Sequence, residues 1–347
     1  MTRRLRRLAI ATISTLVLGA GLAGSVGAAS GPAAVATAEP LALTGYVLTG
    51  GAPSLIASEG TAFSDIGVDG CEVGRDGASI SVDPAAREAL RAAHAAGKPA
   101  ELLVSNFDDR LSDFSPRIGA RLLRGASHRE AVAAALAAEV NGFGWDGITV
   151  DLEALAAADR AGLVDFLRLL RSRLPATATL DIDVPASTST GGEEWAPFDV
   201  PAIAGIVNWV VVMAYDQHYE GGPPGPIAGL PWVRRAIAVT ERQIPPSKFR
   251  LGVAGYGYLW RRGQPTRSLS DSQSRRLAGD RARWSPGGGE WHARLPGGGI
   301  LWWSDRRSLN LRLRLARRAH LQGVALWRLG SSDPIGVRAS LSGGRAG

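Results

Sequence analysis

Residues 146–153 read Asp146-Gly147-Ile148-Thr149-Val150-Asp151-Leu152-Glu153, and their alternation has a period of two. Ile148, Val150 and Leu152 fall on one face; Thr149, Asp151 and Glu153 fall on the other. In a β-strand this sets two carboxyl groups on the same side, about 7 Å apart along the chain. A folded protein rarely turns Asp and Glu inward from an apolar strand unless chemistry or a compensating partner requires them. An edge strand with a wetted polar face is the plainer reading. It loses ground because later segments deliver reactive groups to the same place.

Outward from this strand, apolar runs at 43–48, 66–68, 101–105, 179–184, 206–215, 249–254 and 323–327 add seven strand candidates. Helical periodicity lies between most of them, at 84–96, 127–140, 155–174, 231–243 and 305–320. Ser127 followed by Glu130 reads as a capping box for the second of these helices. Eight strands interleaved with helices predict an α/β fold, a single (β/α)8 TIM barrel, whose usual size is about 250 residues. A doubly wound open sheet would need a glycine-rich phosphate turn after an early strand, and Thr49-Gly50-Gly51 is too weak to serve. The glycine runs 287–289 and 297–299 lie between strands seven and eight, where they read as loops or a small hairpin.

Composition narrows the function classes. The chain has 347 residues and a formal charge of +7. Arg3, Arg4, Arg6 and Arg7 precede an apolar run to about residue 26, followed by small residues, which reads as an export signal. Residues 1–38 are therefore expected to be signal and linker, and 40–340 the barrel. An uncleaved run would instead be an N-terminal membrane anchor; after cleavage no stable membrane association is expected. Without those four arginines the charge falls to +3. Arg312, Arg314, Arg317 and Arg318 form the densest basic run, read as a solvated helix face and not as a nucleic-acid patch. Cys71 is the only cysteine, and the five histidines lack metal-binding spacing. No metal or cofactor is expected.

In such a barrel, side chains at the C-terminal ends of the strands face the active mouth. Glu153 closes strand four, with Asp151 one inward position deeper. Strand six ends in Met213-Ala214-Tyr215-Asp216, bringing a phenol and another acid to the rim. Strand eight ends at Trp327, a flat amphipathic ring suited to stacking under a sugar. Ten tryptophans, against seven phenylalanines and five tyrosines, favour a carbohydrate ligand. A lysine-dependent aldolase is set aside, because Lys98 and Lys248 both precede strands and sit at the wrong end.

The acidic strand resembles the signature of glycoside hydrolase family 18. Met213-Ala214-Tyr215-Asp216 is similar to that family's strand-six motif, and Trp327 to its strand-eight tryptophan. Tyr215-Asp216-Gln217-His218, the proline-rich stretch 222–226 and Leu230-Pro231-Trp232-Val233 resemble the branch of bacterial spore-cortex-lytic and related cell-wall enzymes. So does Ala325-Leu326-Trp327-Arg328-Leu329-Gly330. The resemblance implies retaining, substrate-assisted hydrolysis of β-1,4-linked N-acetylglucosamine in peptidoglycan or chitin-type glycans. On it, Glu153 would be the acid and base, Asp151 the group that bonds the acetamide N–H, and Tyr215 the group that bonds its carbonyl. Asp216, Trp327, Thr149, Met213 and Tyr256 would bind substrate. The expected protein is secreted or cell-wall associated, acts as a monomer on an N-acetylglucosamine-containing polysaccharide, and has no nucleic-acid partner. One departure is Thr149, which stands where many members carry an aspartate. It is expected to hydrogen-bond Asp151, and it raises the alternative of a weak or inactive carbohydrate-binding barrel.

Overall fold

A computed structural model describes residues 41–335, so the proposed signal segment lies outside the described residues. Eight parallel strands close into a barrel: β1 (Ala42–Leu48), β2 (Asp65–Val73), β3 (Ala100–Ser105), β4 (Gly147–Asp151), β5 (Thr179–Pro185), β6 (Trp209–Met213), β7 (Phe249–Ala254) and β8 (Gly323–Trp327). Each pairs with its neighbours in sequence, and β1 pairs with both β2 and β8. All eight expected strands are present, with ends shifted by a few residues. The helices are α1 (Ala52–Glu59), α2 (Pro84–Ala95), α3 (Pro116–Arg124), α4 (Ala126–Phe143), α5 (Arg160–Arg173), α6 (Val200–Ala204), α7 (Leu230–Thr240), α8 (Asp271–Ala278) and α9 (Arg306–Arg318).

The alternation of β4 has the expected consequence. Ile148 and Val150 are fully buried against the helices, in one core with Leu136, Val140, Leu163 and Leu167. Thr149 and Asp151 face the barrel interior, which is polar at its floor. There Arg250 of β7 donates to Thr44 Oγ1 at 2.7 Å and Asp65 Oδ1 at 3.1 Å, and its guanidinium stacks 3.9 Å over Trp209. The Glu101 carboxylate accepts from Thr149 Oγ1 at 2.8 Å and Thr179 Oγ1 at 2.6 Å. Tyr46, Leu103, Val211 and Ala325 form an apolar layer above this floor. Gly67 makes that layer possible: a Cβ there would lie 2.3 Å from Tyr46 Cδ1.

Three expectations need correction. The capping box at Ser127 does not form, because α4 starts at Ala126 with Gly125 as its N-cap and no side-chain cap. Helix α3, which lacked a sequence signal, ends at Arg124 and leaves one residue between the helices. The excursion between β7 and β8 is more than a small hairpin. It is a five-stranded antiparallel sheet of Gly257–Trp260, Arg267–Leu269, Arg283–Ser285, Glu290–Leu295 and Gly299–Trp303, backed by α8. Its own core holds Leu259, Leu269, Leu301 and Trp303. Arg312 does not sit on a solvated helix face. It is buried at 2 % exposure, donating to Glu290 Oε1 and to the Gly289 carbonyl, and fastens α9 to that sheet. Arg314 and Arg318 are exposed, as expected.

Candidate active site

A cleft of about 710 Å³ opens at the C-terminal mouth of the barrel. The elements deliver side chains to it in the order the sequence implies. Asp151 ends β4, Glu153 follows two residues on, Met213 ends β6, and Tyr215 and Asp216 come directly after it. Tyr256 comes from the turn after β7 and Trp327 ends β8; all seven line the cleft. Thr149 does not. It is an inward residue one level deeper, its hydroxyl turned to Glu101 and not to Asp151.

Backbone geometry fixes the acid. The Glu153 N–H donates to Asn106 Oδ1 at 2.9 Å, and Asn106 Nδ2 donates back to the Glu153 carbonyl at 2.9 Å. Ala154, the next residue, adopts φ 54°, and Asp216 at the end of β6 adopts φ 56°. Left-handed backbone at a residue other than glycine costs about 1–2 kcal/mol and persists where surrounding structure over-determines it. Asp216 is over-determined: Tyr256 Oη donates to Oδ1 at 2.5 Å and Tyr258 Oη to Oδ2 at 3.4 Å.

The electrostatics are dominated by crowded, buried carboxyl groups. Burial, then the nearby Asp216 and Asp113, push Glu153 up to about 7. Burial and the facing Glu153 hold Asp151 well above the ordinary carboxyl range. Its Oδ1 is buried with no hydrogen-bond partner among the described residues. Burial lifts Asp216 to about 6 against the two tyrosine bonds. Tyr215 is kept a neutral phenol by burial and by the surrounding acids. The arrangement can therefore hold protons at neutral pH and donate them, and its acidic lining disfavours phosphate-bearing ligands. Among the described residues no cluster of His, Cys, Asp and Glu is arranged to hold a metal ion, and no helix is long and apolar enough to cross a membrane.

Several groups at this site escaped the sequence reading. Asp183 of β5 lines the cleft, and its Oδ1 accepts from Tyr46 Oη at 3.0 Å. Asp69 ends its inward run on β2 near Arg328, and burial raises it to about 6. The signal for Asp183 was present: Asp181-Ile182-Asp183-Val184 repeats the alternation of β4. For Asn106 there was none, since it acts through a backbone clasp.

The sequence profile of glycosyl hydrolases family 18 matches residues 105–332. YdhD of Bacillus subtilis, a sporulation-specific glycosylase by name, is 33% identical over 205 residues, 54% of this chain and 47% of its own length. The cortical fragment-lytic enzyme of Bacillus anthracis is 26% identical over 249 residues, 67% of this chain and 57% of its own. The chain thus spans about half the length of the curated relatives it matches. Among solved structures, the spore cortex-lytic enzyme SleL of Bacillus cereus superposes with a TM-score of 0.77 at 22% identity, over 87% of this chain and 74% of SleL. A chitinase from Chromobacterium violaceum gives 0.77 at 23% identity, over 87% of this chain and 99% of its own. Likeness at these identities speaks to the barrel architecture. The profile match covers most of the barrel together with both acidic motifs, and the chain belongs to glycosyl hydrolases family 18.

Proposed function

We propose that this chain is a secreted or cell-wall-associated glycosidase. It hydrolyses β-1,4-linked N-acetylglucosamine-containing glycans with retention of configuration and with the substrate's own acetamide as nucleophile. The observation that carries the reading is Glu153, raised to about 7 beside the buried Asp151 at a barrel mouth floored by Trp327. Peptidoglycan is favoured over chitin by the cortex-lytic name of a relative.

In this mechanism Glu153 gives its proton to the glycosidic oxygen as the C1–O bond breaks. The acetamide carbonyl oxygen forms the new bond to C1, and a cyclic oxazolinium ion results. Asp151 accepts the acetamide N–H and faces the positive charge that develops there. The Tyr215 phenol donates to the acetamide carbonyl and aims it. Water then attacks C1 as the oxazolinium C1–O bond breaks and the acetamide is regenerated, and the water passes a proton to Glu153, which is restored. Trp327 supports the apolar face of the sugar ring. Thr149, the one support for an inactive binding barrel, spends its hydroxyl on Glu101, so no cleft acid depends on it.

The test is digestion of purified peptidoglycan and of colloidal chitin, with products weighed by mass spectrometry. The wild type should release N-acetylglucosamine-containing fragments. Glu153→Gln should lower the rate by about 10²–10⁴-fold while oligosaccharide binding persists. An unchanged rate in that variant would remove Glu153 from the chemistry.

A further inference from the structure

The register between β4 and β5 pairs Thr149 with Asp181 and Val150 with Ile182. The next inward residues, Asp151 and Asp183, therefore stand side by side at the mouth, on strands about 5 Å apart. Both are buried, at 6 % and 4 % exposure. Asp183 has one oxygen committed, because Tyr46 donates to Oδ1. Asp151 has one oxygen buried and unpartnered. Thr149 on the same strand is turned down to Glu101 and cannot fill that gap. Two neighbouring carboxylates in a buried site do not readily ionise together, and one proton between them would satisfy the orphaned Oδ1 of Asp151.

We propose that Asp183 is a positioning residue that shares one proton with Asp151, its Oδ2 being the site that takes the proton fully when Asp151 must act as an anion. The Tyr46 bond makes Oδ1 the acceptor end and leaves Oδ2 to carry hydrogen toward Asp151 Oδ1. The catalytic meaning rests on the function proposed above. As the acetamide N–H reaches the other oxygen of Asp151 and positive charge develops at the sugar, the shared proton moves onto Asp183. No proton enters or leaves the pair in that step. Other groups facing Asp183 are Asp69 from β2, Glu101 from β3, Glu153 beyond β4, Asp181 one level below, and Tyr215 from β6. Among the described residues none of these groups hydrogen-bonds to Asp183, whose Oδ1 accepts from Tyr46. Burial lifts Asp183 to about 8 even though the Tyr46 bond pulls the other way, which agrees with retention of a proton at neutral pH.

Two measurements test this, and only one needs turnover. In protein labelled with ¹³C at the aspartate carboxyls, the resonance lost in Asp183→Asn identifies Asp183. Its titration midpoint should fall by about one pH unit or more in Asp151→Asn, since the partner that shares the proton is gone. An unmoved midpoint would overturn the pairing. In kinetics with a fluorogenic chitobioside, Asp183→Ala should lose about 10²-fold in kcat with KM little changed. Asp183→Asn, whose amide still donates to Asp151, should recover most of that loss. Equal activity of wild type and Asp183→Ala, or equal loss in both variants, would also overturn it. Absence of turnover in the wild type would strike the proposed function, and the carboxyl titration would still decide the pair.

Discussion

On the proposed mechanism a single side chain, Glu153, sets the working pH range. The acid must carry its proton to cleave, and burial with neighbouring Asp216 and Asp113 holds that proton up to about 7. The sign follows: activity should be sustained below that pH and should fall as pH rises through it, about tenfold per unit once Glu153 is ionised. A pH–rate profile of kcat/KM that stays flat to pH 9 would contradict this assignment. As cleft residues Glu153, Asp151, Tyr215, Asp216 and Trp327 were legible in the sequence because each lies at the end of a barrel strand or within three residues beyond it. Asp183 carried the alternation of β4, yet its partnership with Asp151 depends on the register between two strands, which no single strand reveals. Thr149 shows the converse. Its inward position was legible, but its choice of Glu101 over Asp151 is decided across β3.

At the scale of elements, β4 works because both ends are held. Asp146 at its start accepts from the Ala100 N–H at 2.8 Å, and Asn106 clasps the backbone of Glu153 just past its end. The excursion sheet is fixed in a comparable way. Glu290 is fully buried, accepts from the Ile227 and Ala228 N–H groups at 2.8 and 2.9 Å, and is neutralised by Arg312 of α9. That contact holds the sheet carrying Tyr258 against the loop that follows Asp216. Arg312→Leu leaves a buried carboxylate without its partner and should destabilise the protein by about 3–5 kcal/mol in chemical unfolding. A loss under 1 kcal/mol would show the pair to be incidental. The sequence concealed this: leucine–arginine alternation over 311–318 reads as a solvated face unless Glu290, 22 residues earlier in the chain, is known to lie beneath it.

Over the whole molecule, burying acids costs stability at neutral pH. Asp69, Glu153, Asp183, Asp216 and Asp271 all have carboxyl groups raised by burial, to between about 6 and about 8. In the unfolded chain such groups ionise near pH 4. Between those values the folded state binds more protons than the unfolded state, so stability falls as pH rises from about 4 toward 8. Asp271 of α8 lies outside the cleft, accepts from the Asp333 N–H at 2.9 Å, and is raised to about 8 chiefly by its burial. Asp271→Asn keeps an acceptor for that bond and should flatten the decline in melting temperature between pH 5 and 8. An unchanged slope would mean the group is ionised in the fold.

The central claim is that the sugar's own acetamide, steered by Asp151 and Tyr215, attacks C1 before water does. Two displacements at C1 return the original configuration, so proton NMR of the first products from a chitooligosaccharide should show the β-anomer before mutarotation. An α-anomer formed first would contradict the account.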